Sequence, residues 1–484
     1  MALLGAQLVI TLIMISIIQK LGPYFSFAKF LLCSTGLVRY LYPTDDELKE
    51  VANIPKDKHK NRKGKQQNGK VDSFHIPRSL EIDLKTAKVT QLDVIHLRFY
   101  AEYQWLVDFA IYSCLVYVIT EIYQNFFSLK DEMNLSMMWC TLVLIFAIKL
   151  LFSLTVQYFK ADESVGERST CLVMGFVYLL IAMMILIVDE NILEIGLQTA
   201  YKSFNDSAST FLNQQGLNSS GPASKIIIQF FLAIFGALLG AVFTFPGLRI
   251  ARMHWDLLKL HRKNKTIQTL LNLSFALPFL LVVAWIKPFS RHYLTVRIFS
   301  GMTSPLLSND SFEILRLIFI ILTVIIKIVL MPVYLQAYLD MAYHRLEEQK
   351  KEAGRITNID LQKKIAAVFY YLCVVTLQYI APLILIIYFA FMYKTLGGFS
   401  WNGLLGNQNL EECPANSFEQ TNLEGEDNIQ NSAHQFHLAI ENLKNVFTPQ
   451  VFKGLFGFGT WWSCFLYFTT TSIGMIYQSY FTQS

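Results

Sequence analysis

Nine stretches of this chain are almost unbroken apolar runs of roughly twenty residues, the length that carries an α-helix across a bilayer core about 30 Å thick. They cover Ala2–Gln19, Glu102–Ile122, Met137–Tyr158, Ser169–Val188, Lys225–Phe245, Gln268–Ile286, Phe312–Leu339, Ile365–Tyr393 and Phe452–Tyr477. Lipid offers no partner to a backbone N–H or C=O, so runs of this kind must close their hydrogen bonds internally, as helices. Only 16% of residues are charged and 53% are hydrophobic, whereas a soluble domain carries about 25% charge. A soluble multi-domain enzyme and a disordered chain are both excluded. The expected fold is an all-α polytopic membrane protein of about nine transmembrane helices, eight if the first is a cleaved signal, with short amphipathic and disordered loops.

The same runs divide the chain. Residues 1–19 are a first transmembrane helix or signal anchor, 20–101 a basic loop, 102–393 a seven-helix membrane core, 394–451 an acidic extracellular loop, and 452–484 the last span with a short tail. An uncut first helix is expected, because no basic region precedes it and Gln19, Lys20 and Leu21 follow it where a cleavage site needs small residues.

Charge sets the orientation. The net charge of +5 is concentrated in loops, so it reads as an orientation signal and not as a nucleic-acid footprint; no nucleic-acid partner is expected. Arg249 to Lys265 and Arg345 to Lys364 each carry six Lys or Arg close to helix ends. Both loops should be cytoplasmic. The intervening loops carry the sequons at Asn134, Asn205, Asn218 and Asn309. Nine helices reconcile both signals: amino terminus and all four asparagines outside, basic first loop and carboxyl terminus inside. The sequons at Asn264 and Asn272 fall in a cytoplasmic loop and a helix and should stay bare.

Between Lys20 and Arg98, residues Phe25 to Tyr42 are aromatic-rich and too short to span, and read as a helix lying in the interface. Cys33 there is either a palmitoylation site or a buried thiol. Lys56 to Lys70 reads as a disordered basic tether near anionic headgroups. The alternating segment from Ser79 to Tyr100 is expected to form one hairpin. From Tyr343 to Lys364, helix formers reach Ala353, Gly354 can end that helix, and Thr357 or Asn358 can cap the next. The seven cysteines share no CxxC or metal spacing, so neither a disulfide framework nor a metal site is expected.

Ionisable residues inside spans are functional candidates because their burial is costly unless they are paired or wet. Asp108, Glu121, Lys149, Arg316 and Lys327 form that set. Depth suggests Asp108 with Lys149, and Glu121 with Arg316. Lys327 has no partner visible in the sequence. Arg316 and Lys327 lie eleven residues apart, about 20° on the helical wheel, so both share one face of the seventh helix, where they serve structural ion pairs, line a hydrated cavity or act as gating charges. Gly236 and Gly240 form a GxxxG for close helix packing. Phe245-Pro246-Gly247 should end the fifth helix and Lys287-Pro288 the sixth, with kinks at Pro332 and Pro382.

No HExxH, glycine-rich phosphate loop, GxSxG or intramembrane carboxylate pair is present, and the nine histidines, His254 among them, read as loop or helix-end residues. No catalytic residue, cofactor or metal is expected.

The runs EYQWLVDF (Glu102 to Phe109), FAIKLLFSLT (Phe146 to Thr155), TFPGLR (Thr244 to Arg249), LQAYL (Leu335 to Leu339), KKEAGRI (Lys350 to Ile356), VFYYLCV (Val368 to Val374) and FTP with TWW (Phe447 to Trp462) resemble the transmembrane protein 161 family across nearly the whole chain, closer to its B-type member. That resemblance implies a plasma-membrane protein without a known enzymatic activity. The B-type member is associated with normal cardiac rhythm, with restraint of potassium and calcium currents and with cortical development; the A-type member is associated with resistance to oxidative and DNA-damage stress. The expectation is therefore a regulator of membrane excitability whose partners are the lipid bilayer and potassium or calcium channel proteins. A channel or transporter with a cavity lined by Arg316 and Lys327, and a membrane scaffold for stress or developmental signalling, are the alternatives.

Overall fold

The computed structural model describes residues 5–51, 75–76, 83–127, 134–160, 165–214, 224–298, 305–351, 356–399, 401 and 446–481. The tether at 56–70, Asn218 and the acidic loop from 402 to 445 lie outside them.

Near the amino end run α1 (Ala6–Leu21), α2 (Phe27–Cys33), β1 (Val38–Tyr40), α3 (Asp45–Val51), β2 (His75–Ile76), β3 (Thr86–Lys88) and α4 (Gln91–Ile95). The bundle follows: α5 (Tyr100–Phe126), α6 (Leu135–Lys160), α7 (Val165–Ile187), α8 (Leu197–Gln214), α9 (Lys225–Leu260) and α10 (Lys265–Val283). A π-helical turn at His292–Val296 leads to α11 (Asn309–Lys351), β4 (Ile356–Thr357), α12 (Asn358–Tyr370), α13 (Leu372–Leu396) and a last long helix, Pro449–Phe481, here α14.

This is an all-α polytopic membrane protein. Among the described residues seven helices are long and apolar enough to cross a bilayer, counting α12 and α13 as one. Two of the nine expected spans fall short of that standard, each for a physical reason. Helix α1 has 16 residues, about 24 Å at 1.5 Å per residue. Helix α14 is long enough at 33 residues, but it is rich in Thr, Ser, Gly and aromatic polar groups. It packs against α8, α9, α10 and α13, so much of it meets protein, not lipid. Several of its hydroxyls are satisfied within the helix: Thr460, Ser463, Thr470 and Thr471 each donate to the carbonyl four residues back at 2.7 Å.

Helix α13 is the axis. Every residue from Leu372 to Lys394 except Ile387 is buried, the pattern of a helix apolar on all sides and enclosed on all sides. Around it stand α5, α6, α9, α11 and α14. The outer faces of these helices and of α7 carry large exposed apolar side chains, including Ile145, Phe176, Phe231 and Val329, which suit contact with acyl chains.

Close approach explains the glycines of α9. An added Cβ at Gly240 would meet the Tyr178 ring at 2.5 Å, and at Gly236 would meet Trp462 at 3.2 Å and Ala182 at 3.4 Å. Tight packing also explains why Pro246 does not end the fifth span as expected. Pro246 and Gly247 are buried inside a continuous 36-residue helix, where a Cβ at Gly247 would lie 2.1 Å from Thr470 Oγ1; neighbouring helices hold such a proline in register. Pro332 and Pro382 likewise lie inside unbroken α11 and α13. Helix α10 stops at Val283, ahead of Lys287-Pro288, as Trp285 turns inward to full burial.

Among the described residues, 83–100, the hairpin expected between Ser79 and Tyr100 is not found. β3 pairs antiparallel with the distant β1, Arg39 facing Ala87. The following residues become α4, because Thr90 and Asp93 make a reciprocal capping box. This small subdomain is tied to the bundle by Gln336 on α11, whose side chain accepts from Val38 N–H at 3.0 Å and donates to its carbonyl at 3.2 Å. On its surface Lys85 holds the Glu47 carboxyl down to about 2. The interfacial helix expected from Phe25 to Tyr42 is the seven-residue α2, and Cys33 at its end is half-buried against the core. Burial, with the Asp93 carboxylate nearby, pushes its thiol above the usual range. Thr357 caps α12 by accepting from Asp360 N–H.

Substituting Gly240→Ala should destabilise the protein by about 1–3 kcal/mol through overpacking. Gly175→Ala should be near neutral, since its Cβ would meet Ala241 at an ordinary 3.5 Å. Thermal unfolding of the two variants in detergent reads the difference directly.

Candidate functional site: the buried charges

Among the described residues, three clusters around buried charges lie inside the bundle, two at the end that carries Asn134 and Asn309 and one deeper. The first centres on Arg316, in the second turn of α11. Arg316 pairs with Glu313 one turn away and lies 3.8 Å from Glu194; Arg291 pairs with Glu194 and lies 3.5 Å from Glu313. Arg316 also donates to Tyr393 Oη at 2.8 Å, that hydroxyl donates to Glu313 at 3.2 Å, and the guanidinium sits 3.8 Å from the centre of the Trp285 ring. Two cations thus face two carboxylates from three segments of chain. The set is formally neutral, as burial of charge in a low-dielectric interior demands.

The second cluster joins α5 to α13. Glu121 pairs with Lys394 and also accepts from Thr395 Oγ1 at 2.7 Å and from the Trp401 indole at 3.2 Å. Tyr117 extends it through a 3.1 Å hydroxyl contact to Thr395.

The third cluster surrounds Lys327 near the middle of α11. Its ammonium donates to the Ser274 carbonyl at 2.9 Å and lies 4.7 Å from the centre of the Tyr467 ring. Tyr379 donates to the Lys327 carbonyl at 2.7 Å. Beside it His254 Nδ1 meets Tyr334 Oη at 2.8 Å, and the Tyr334 and Tyr379 rings are 5.4 Å apart. Lys327 is 4% exposed, and no described carboxylate pairs with it.

The structure therefore redistributes the sequence candidates. Glu121 and Arg316 are each paired, but not with one another. Asp108 does not pair with Lys149: its carboxylate accepts from Ser26 Oγ at 2.7 Å and from Ala28 N–H at 3.0 Å, fastening the start of α2 to α5. Lys149 lies on the exposed face of α6. Arg316 and Lys327 are both buried, as expected of one helical face. A cavity of about 1220 Å³ lies toward the other end of α11 near Tyr338 and Met341, and neither residue borders it. Asn309 is exposed at the start of α11 and Asn205 half-buried on α8, while Asn134 caps α6 by accepting from Ser136.

Sequence reading missed Glu194, Arg291, Glu313, Lys394 and His254. Glu313 was legible, standing three residues before Arg316 on the same helical face. Lys394 sits one residue past the assumed span end. His254 lies inside α9 because that helix continues through Pro246-Gly247, where local preference predicts a stop. Nothing in the local sequence marks Glu194 or Arg291, since they meet across about a hundred residues.

Removing one member of the Glu121–Lys394 pair leaves a nearly unexposed charge without its partner, at 9% and 8% side-chain exposure. Glu121→Gln or Lys394→Met alone should cost about 3–5 kcal/mol, and the double variant much less than their sum. A double-mutant cycle on detergent unfolding measures this; strict additivity would disprove the coupling.

A family model described as "Predicted transmembrane protein 161AB" matches residues 2–482. No solved structure matches the chain.

Proposed function

We propose that this chain, which belongs to the transmembrane protein 161A/B family, is a plasma-membrane regulator of excitability that restrains potassium and calcium currents by acting on other channel proteins, without conducting or catalysing. The resemblance to the B-type member motivates the currents. The observation that carries the non-conducting part is α13: a helix buried along its length occupies the axis where a pore would need water or a ring of ligating groups. The neutral pairing of Glu194, Arg291, Glu313 and Arg316, and of Glu121 with Lys394, supports the same reading, because charges engaged with one another are not lining a permeation path.

One observation favours a second reading, a channel or transporter in its own right. Lys327 is an intramembrane cation without a described acid partner, and such residues mark ion or proton pathways in other membrane proteins.

Two measurements separate these readings. Purified protein in a planar bilayer with potassium, calcium and chloride should be electrically silent, while its expression in an excitable cell should lower potassium and calcium currents under voltage clamp. A reproducible unitary current from the purified protein would overturn the proposal. Lys327→Met fills similar volume without the charge, so it should preserve surface level and current restraint. Loss of restraint at normal surface level would favour the second reading.

A further inference from the structure

The cavity of about 1220 Å³ joins two chemistries in one space. Arg98, Lys160, Arg249 and Arg252 border it against a single described carboxylate, Glu167, while Leu154, Leu248, Val374 and Ile473 supply apolar wall. We propose that it binds an anionic phospholipid, phosphate at the arginines and acyl chain along the apolar wall.

Depth supports a lipid over a soluble anion. Helix α9 begins at Lys225, and the twenty residues to Phe245 rise about 30 Å, one bilayer core. The next turn, with Arg249 and Arg252, therefore emerges at headgroup level. The last turn of α6 at Lys160 and the first turns of α7 reach the same level, as does the junction of α12 and α13 at Tyr371. Charge patterning makes this the cytoplasmic end, the leaflet where anionic lipids concentrate and where basic pockets between helices take their headgroups.

The cations are placed for one ligand. Arg249 and Arg252 stand three residues apart and share a face of α9. Arg98 is held from another direction: its guanidinium donates to Tyr371 Oη at 3.2 Å and lies 5.7 Å from that ring's centre, and its backbone N–H donates to the Tyr370 carbonyl. A volume above the roughly 300–1,000 Å³ of ordinary ligand pockets accommodates a headgroup with part of its chain. This site does not rest on the ion-current reading.

The test is thermal unfolding of the full chain in neutral detergent, titrated with dioctanoyl phosphatidylinositol bisphosphate, dioctanoyl phosphatidylserine, dioctanoyl phosphatidylcholine or inorganic phosphate. The anionic lipids should stabilise saturably and phosphatidylcholine should not. Arg249→Gln with Arg252→Gln should weaken the half-saturating concentration about 25-fold, from about fivefold per cation. Arg252 is exposed, so Arg252→Gln alone keeps the test valid if the double variant does not fold. Lys263→Gln, a basic change at the same end but outside the cleft, should leave the titration unchanged. Equal titrations for wild type and Arg252→Gln, an equal loss with Lys263→Gln, or inorganic phosphate matching the lipids would each overturn the proposal.

Discussion

Helices in lipid gain little from burying apolar surface against one another, because acyl chains are as apolar as leucine; contact must come from packing and from polar bonds. In this protein that constraint falls on α13. Its tyrosines carry much of the attachment: Tyr379 bonds the Lys327 carbonyl of α11, Tyr388 the Ala110 carbonyl of α5, and Tyr393 the Arg316–Glu313 pair. Each phenol offers an apolar body to the packed interior and a hydroxyl to a backbone or charged partner on a different helix. With Lys394 on Glu121 at the end of the row, the central helix is fastened at several depths, and the surrounding helices find their positions by reference to it.

Small residues complete the arrangement from the other side. Gly236, Gly240 and Gly247 on α9 leave room for Trp462, Tyr178 and Thr470, so α7 and α14 approach α9 closely at three successive levels. Trp462 uses that proximity to donate its indole N–H to the Gly236 carbonyl at 3.0 Å. Absent side chains on one helix and bulky ones on its neighbours thus form a single interface.

The apolar runs made the class of fold readable, because bilayer thickness imposes a length on every span. They also located Arg316 and Lys327 on one face and Gly236 with Gly240 at an interface. Partners were a different matter. Asp108 and Lys149 have compatible depth, but depth does not fix rotation, and Lys149 turns outward while Asp108 meets α2. Glu121 found Lys394, a residue that hydropathy had placed at a boundary. Pro246 misled because a proline's local preference is a property of an isolated helix, and the packing of Gly247 against Thr470 outweighs it. The pairing of β1 with β3 escaped notice because three-residue strands carry no periodicity of their own.

The polar composition of α14 has a consequence for how the molecule is made. A helix carrying this many hydroxyl and indole groups is a weak candidate for partitioning into lipid by itself, yet it supplies the Tyr467 ring beside Lys327 and the threonine under Gly247. Of the described helices it is the latest to leave the ribosome. The earlier spans must therefore wait in the membrane with an open groove along α9 and α13, and the bundle closes by accepting its least lipid-like helix into a slot already shaped for it.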